Sequence, residues 1–409
     1  MSLNDTPSGE RTHLAFFGVR NAGKSSLVNA LTNQTVSVVS DTAGTTTDPV
    51  RKAMELLPVG PVLVIDTPGI DDEGDLGNQR VARATAVLDA ADVAVLVVDA
   101  TRGMTPFDEQ LVTAFQQRRI PYVIAENKAD LLDAATPALA ATIDEDKRGC
   151  RRARVRLSAA TGAGMVDLKG MIAALVACVG DDRHLVADLL EPGDVVVLVI
   201  PLDSAAPKGR IILPQQQVLR DVLEAGAFPC ATSVEALPQL LDTLTCPPRL
   251  VVADSQAFDA VAELLPATAP LTSFSILMAR YKGDLPAQLQ AVHALENLTD
   301  GDMVLIAEGC THHRTCEDIG MVKLPQWIRE ISGANPQFAF TSGRDFPDDL
   351  TPYAVVVHCG GCTLNARDMG SRIQRARHQG VPITNYGMVI ARAHDILSRA
   401  LAPLGEACR

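Results

Sequence analysis

Short apolar runs alternate with stretches of helical length along most of this chain. From His13 to about Gly180 the runs LAFFG, VLVID, VAVLVVD, YVIAEN and VRLSA are separated by segments such as SSLVNAL and VDLKGMIAALVACV. That rhythm predicts βαβ units, hence a mostly parallel sheet covered by helices, over residues 9–180. The pattern weakens in VGDDRHL, where charges interrupt it. VVVLVIPL, GRIILP, QQVLRDVLEAG and RLVVADSQAFDAVAEL then predict a smaller α/β domain over residues 186–268, ending at the Pro-containing junction LPATAPL.

A third unit is expected over residues 271–409. Its strands are expected in FSILMA, MVLIAEG, FAFT, YAVVVHC and VPIT. Helices are expected in PAQLQAVHALEN, PQWIREIS, ARDMGSRIQRARHQ and MVIARAHDILSRAL, so a second parallel α/β sheet should form.

Composition narrows the class. A length of 409 residues suits two to three domains, and 47% hydrophobic with 21% charged residues describes globular rather than disordered chain. Asp and Glu number 49 against 36 Lys and Arg, a formal charge of −13, which argues against a broad nucleic-acid surface. No stretch reaches the roughly 18 apolar residues of a membrane span, and MSLNDTPSGE lacks the order of a secretory signal. A cytoplasmic protein without membrane contact is therefore expected.

Phosphate chemistry enters with GVRNAGKSS, between a predicted strand and a predicted helix, which is the context G-x-x-x-x-G-K-[ST] requires. Gly18, Asn21, Ala22, Gly23, Lys24, Ser25 and Ser26 form this loop. Its glycines let backbone N–H groups turn toward phosphates, Lys24 meets the β and γ oxygens, and Ser25 can ligate Mg2+.

The choice of guanine follows from NKAD: the Asp130 carboxylate can accept from both guanine N1–H and the exocyclic amine, a pattern adenine lacks. Asn127 and Lys128 complete that motif. Asp66 and Gly69 of DTPG are placed to reach the Mg2+ shell and the γ-phosphate, and Ser158 and Ala159 of LSAATG to close over the base. All four motifs end predicted strands, where open α/β sheets bind ligands.

These motifs resemble those of translation-factor-like GTPases, in particular the branch with the tRNA-modification GTPase TrmE and the ribosome-assembly GTPase Era. DTAGTTTD looks like the first switch of that branch, which implies Thr46 on magnesium. Asn21 matches an asparagine that in this branch helps hold an activating K+. Ile70 stands where Ras-like enzymes carry a water-orienting glutamine, so slow hydrolysis is expected.

Nine cysteines in a cytosolic chain do not suggest a disulfide framework; Cys150, Cys178, Cys230, Cys246 and Cys408 stand alone and read as buried or inert thiols. The rest cluster. MVLIAEGCTHHRTC holds Cys310, His312, His313 and Cys316, and VVVHCGGCTLN holds His358, Cys359 and Cys362. Both groups follow predicted strands of one parallel sheet and should emerge along one edge. The two glycines of HCGGC allow a tight turn that aims both sulfurs at one centre and exposes amides to them. A closed zinc tetrahedron and an iron–sulfur cluster held by three cysteines both fit this donor set, beside a redox thiol pair or plain core residues. Cys316 and His313 are as plausible as neighbours of the site as they are as ligands.

A TrmE-like GTPase domain, a small middle domain, and C-x-H followed by H-C-x-x-C resemble the HydF family of FeFe-hydrogenase maturation GTPases along essentially the whole chain; ARYKGDL and EGCTHH add to the likeness. The resemblance implies a 4Fe-4S cluster on Cys310, Cys359 and Cys362, with His312 or His358 near the open iron. It also implies a dimerising middle domain and a scaffold that carries a di-iron precursor to apo FeFe-hydrogenase, with the radical-SAM maturases HydE and HydG as partners. The rival readings are a TrmE-like RNA-modification GTPase with structural zinc and a general iron–sulfur carrier.

Overall fold

The computed structural model describes residues 6–32, 50–67, 87–133, 141–146, 148–178, 183–201, 211–309, 319–343 and 345–408, without side chains for 406–408. The chain divides into two units, Met1–Asp181 and Asp182–Arg409.

Among the described residues the first unit holds seven strands: β1 (Thr12–Phe17), β2 (Val50–Leu56), β3 (Gly60–Asp66), β4 (Val93–Asp99), β5 (Tyr122–Asn127), β6 (Thr142–Glu145) and β7 (Arg151–Arg156). They order as β2-β3-β1-β4-β5-β7-β6, parallel except for the antiparallel edge strands β2 and β6. Successive side chains of each central strand enter opposite layers. Leu14, Phe16, Val95 and Val97 pack in one core with Leu27 and Leu31 of α1 (Lys24–Thr32) and Leu168 and Ile172 of a second helix (Met165–Cys178). Ala15, Phe17, Leu96 and Val98 pack on the other side with Leu111 and Phe115 of the helix Pro106–Gln117. Every residue of β4 and β5 is buried, as uninterrupted apolar runs require. The C-terminal ends of β1, β3, β4, β5 and β7 therefore share one edge.

The described residues of the second unit form two four-stranded parallel sheets. In one, β8 (Val195–Val199), β9 (Phe228–Thr232), β10 (Leu250–Ala253) and β11 (Leu271–Ser273) order as β11-β10-β8-β9. In the other, β12 (Met303–Glu308), β13 (Gln337–Ser342), β14 (Val355–His358) and β15 (Ile383–Asn385) order as β13-β12-β14-β15. One hydrophobic cluster includes Val197 and Val251 of the first sheet and Val304 and Val357 of the second, so the two share a core.

Two expectations are corrected here. FSILMA is helix, not strand: Phe274–Lys282 is capped by Ser273, whose hydroxyl accepts from the Ile276 amide at 3.2 Å, and Phe274, Ile276, Leu277, Met278 and Ala279 are all buried. A segment buried on every side shows no period that separates helix from strand. The strand lies just before it, where Leu271–Ser273 pairs with β10 and so belongs to the middle sheet. The single helix expected in MVIARAHDILSRAL is two, Tyr386–Ala393 and Leu397–Leu401, broken near Asp395 at φ 57, a left-handed conformation that Asp tolerates better than most residues.

Candidate functional site

The shared strand edge of the first unit gathers the nucleotide motifs. Gly18 follows β1 and runs so close to β4 that a Cβ there would lie 2.5 Å from the Val97 carbonyl oxygen. Gly23, at φ +86, has Asn127 Nδ2 where its own Cβ would be, 2.3 Å away. Asn21 also adopts a left-handed φ, of 66. The loop needs these positions to curl its amides inward.

Lys24 Nζ ion-pairs with Asp66 Oδ1 at 2.7 Å, and Ser25 Oγ donates to Asp66 Oδ2 at 3.4 Å. A lysine for phosphate oxygens and a hydroxyl–carboxylate pair suited to Mg2+ thus meet at one point. Ser26 follows in the first turn of α1 and is exposed.

Asn127 ties three segments together. Its Nδ2 donates to the Ala22 carbonyl at 3.1 Å, and its Oδ1 accepts from the Ala159 amide at 2.9 Å. Ser158 Oγ donates to Asp130 Oδ1 at 2.5 Å, which ties NKAD to LSAATG a second time. Lys128, left-handed at φ 64, pairs with Asp99 Oδ2 at 2.7 Å. Burial pushes the Asp99 carboxyl up, but bonds from Lys128 and Thr101 outweigh it and hold the group at about 2. Asp99 closes VAVLVVD and was not singled out from sequence; an acid ending a buried strand was its only signal. Thr46, Gly69 and Ile70 lie outside the described residues.

The second site forms at the C-terminal ends of β12 and β14. Cys359 Sγ accepts from the amides of Gly309, at 3.0 Å, and Gly361, at 3.4 Å. Thr363 Oγ1 donates to the Gly309 carbonyl at 2.9 Å, so the end of β12 is stitched to the CGGC turn on both sides. Gly361 stands at φ +59 and abuts Met369, whose Cε would lie 2.3 Å from an added Cβ. The buried Lys282 reaches in from 80 residues away, its Nζ donating to the carbonyls of Cys362, at 3.1 Å, and Leu364, at 2.9 Å. Burial pushes the Cys362 thiol up, with Lys282 opposing.

His358, expected near an open iron, is buried at the end of β14. Alternation along β14 sends it to the face of Val356, toward the layer of Met369 and Ile373, whereas Cys359 packs against the opposite core with Val357. It is 1% exposed, and both ring nitrogens are engaged: Nδ1 with the Cys359 carbonyl at 2.8 Å, Nε2 with Arg372 Nη1 at 3.0 Å. Arg372 is itself held by Asp368 and the Gly343 carbonyl and lies over the Phe346 ring. Burial, then the guanidinium, push His358 down to about 4, so the ring is neutral at pH 7 and accepts from Arg372. Neither Arg372 nor Lys282 was assigned a role from sequence, since each acts across a long stretch of chain. Cys310, His312, His313 and Cys316 lie outside the described residues, and among those described no group of three or more His, Cys, Asp or Glu is placed to hold a metal ion. Nor is any described helix long and apolar enough to cross a membrane.

Fold and first site together define a P-loop GTPase domain joined to a unit of two parallel α/β sheets. The family models agree: residues 13–128 match the 50S ribosome-binding GTPase family, 185–283 the hydrogen maturase F dimerization domain and 286–403 the hydrogen maturase F tetramerization domain. The two maturase matches span more than half of the chain. The chain belongs to the HydF family of hydrogenase maturation GTPases, and it carries that family's domains for oligomer formation.

Among curated relatives, the tRNA modification GTPase MnmE of Laribacter hongkongensis is 35% identical over 177 residues, 43% of this chain and 37% of its own length. GTPase Der of Mycoplasmopsis pulmonis is 35% identical over 140 residues, 33% of this chain and 32% of its own. The chain thus spans about a third of the length of these relatives. A solved structure of Aquifex aeolicus Era with GDP and aluminium fluoride aligns over 62% of this chain and 97% of that one, at 19% identity and a TM-score of 0.32, a likeness too slight to bear on function.

Proposed function

We propose that this chain is a GTP-hydrolysing scaffold that holds the di-iron precursor of the FeFe-hydrogenase active site and delivers it to apo-hydrogenase. The observation that carries the reading is the double stitch between Gly309 and the CGGC turn. Cys310 follows Gly309 directly in the sequence, and Gly309 is the residue that both bonds reach. The residues fit an iron–sulfur cluster: Cys359 already accepts two amide hydrogen bonds of the kind that stabilise a thiolate, and a glycine turn sets Cys362 three residues on. On this reading Cys310, Cys359 and Cys362 would hold a 4Fe-4S cluster, with His312 or an exogenous group as the remaining ligand, and the cluster would supply an iron–sulfur face for cargo. The chain's own part is to hold the thiols convergent and shielded.

Nucleotide acts as the switch. Lys24 and the backbone of Gly18–Ser26 bind phosphates, Ser25 and Asp66 hold Mg2+ with Thr46, and Asp130 selects guanine. Hydrolysis is slow, because Ile70 cannot orient water, and K+ held by Asn21 speeds it. The domains are the GTPase domain over 9–180, the dimerisation domain and the cluster-binding domain. The radical-SAM maturases HydE and HydG supply the cargo, in the cytoplasm.

The test is anaerobic purification with iron, zinc and sulfide quantitation, then activation of apo-hydrogenase by wild type and by Cys359→Ala. Cluster and activation in wild type, both lost in the variant, are expected. A native protein that holds only zinc, or a variant with full iron that still activates, sinks the reading.

A further inference from the structure

The helix that ends beside the CGGC turn brings in a buried lysine that nucleotide chemistry does not use, and β12 ends there in a buried acid, Glu308. Lys282 is 2% exposed and closes the helix Phe274–Lys282. That helix end is tightly fixed. A Cβ at Gly283 would lie 2.6 Å from the Ala279 carbonyl oxygen and 2.7 Å from Gln288 Nε2, and Asp284 caps the following helix through the Ala287 amide at 3.1 Å. From this corner Nζ spans the Cys362 and Leu364 carbonyls on either side of Thr363. Thr363 in turn bonds Gly309, so Lys282, the turn and the end of β12 form one connected set.

We propose that Lys282 is a positioning residue that also sets the charge of the cluster site, its ammonium raising the reduction potential of a cluster bound on the CGGC turn. The inference rests on the scaffold reading above and deepens it. Desolvating an ammonium is costly, and the carbonyl dipoles it meets belong to the segment that would carry thiolates. Three thiolates on a 4Fe-4S core leave a net negative charge that grows by one on reduction. A fixed cation held in low dielectric favours the more negative state, and net charge is one of the levers that set such potentials. A lysine that merely pinned the turn would be replaceable by any donor of similar length.

The experiment is an EPR-monitored redox titration of the reconstituted full-length protein as wild type, Lys282→Gln, Lys282→Met and Lys282→Arg, with iron and sulfide measured on each. Gln and Met are expected to lower the midpoint potential, and Arg to leave it near wild type. Should Gln and Met both lose the cluster while Arg keeps it, Lys282 only pins the turn and the effect on the potential is overturned. A Gln variant with full iron at the wild-type potential overturns the proposal, as does Arg shifting as far as Gln or losing the cluster alongside it. Wild type that takes up no cluster sinks the scaffold reading itself, and this inference with it.

Discussion

Asn127→Ala isolates what joins the phosphate loop to the base-binding loops. The side chain is 2% exposed and spans the Ala22 carbonyl at 3.1 Å and the Ala159 amide at 2.9 Å. Each such bond contributes about 0.5–1.5 kcal/mol net, so losing both costs roughly 1–3 kcal/mol in the ordering of the pocket. At about 1.4 kcal/mol per factor of ten, affinity for guanine nucleotide should fall between about fivefold and somewhat over a hundredfold. Water entering the space left by the amide would move the result toward the lower figure; an orphaned Ala159 N–H would move it toward the upper. Titration calorimetry with GDP and with a non-hydrolysable GTP analogue in Mg2+ reads this directly. Both ligands should weaken equally, because the partners of Asn127 belong to the phosphate loop's backbone and the LSAATG loop, not to a group reserved for the γ-phosphate. A fall below twofold, or a loss confined to the analogue, refutes the reasoning.

Asp130→Asn inverts the hydrogen-bond pattern offered to the base, so xanthosine triphosphate should replace GTP as the preferred ligand in competition binding. GTP hydrolysis should run faster in K+ than in Na+ and vanish in both with Lys24→Ala; equal rates in the two salts remove the ion from the mechanism. Cys362→Ala should abolish cluster binding while phosphate release from GTP continues at close to the wild-type rate, because the phosphate motifs and the CGGC turn lie on different sheets. Asp99 is held at about 2 against an ordinary 3.8, so its contribution to stability is complete above about pH 4 and is lost as pH falls toward 2. Asp99→Asn should flatten that part of the acid-unfolding curve followed by circular dichroism, and an unchanged curve would mean that the Lys128 pair does nothing for the fold.

The phosphate-loop and NKAD motifs were legible in sequence because each is a fixed set of residue types at fixed spacing, with glycines where the structure brings the loop against β4 and Asn127. The central strands of the first sheet were legible for a related reason, since β4 and β5 are buried on both faces and read as unbroken apolar runs. Its edges were not. The polar strand β2 carries Arg51, Lys52 and Glu55, and β6 is exposed throughout, so neither has the apolar signal that marks a strand. FSILMA failed for the opposite reason, being apolar on every side. Lys282 was quoted within a motif yet given no task, because its partners stand 80 and 82 residues away. The side taken by His358 could have been read, since strand alternation in VVVH already separates it from Val357.

That side matters for what a cluster could use as its last ligand. To reach iron, His358 would have to release the Cys359 carbonyl or the Arg372 guanidinium, bonds of 2.8 and 3.0 Å in a fully enclosed setting. Losing the charged partner alone costs roughly 1.5–3 kcal/mol, and the freed guanidinium would keep only Asp368, the Gly343 carbonyl and the face of Phe346. The ring would also have to cross from the layer of Met369 to the side on which Cys359 packs, through the backbone of its own strand. On the scaffold reading His358 therefore acts on the turn rather than on the metal: it fixes the Cys359 carbonyl and thereby the direction of the neighbouring sulfur. The remaining iron is then left to His312 or to a group from outside the chain. An exchangeable position of that kind is what a carrier needs, because cargo can leave only through a ligand the protein does not hold tightly.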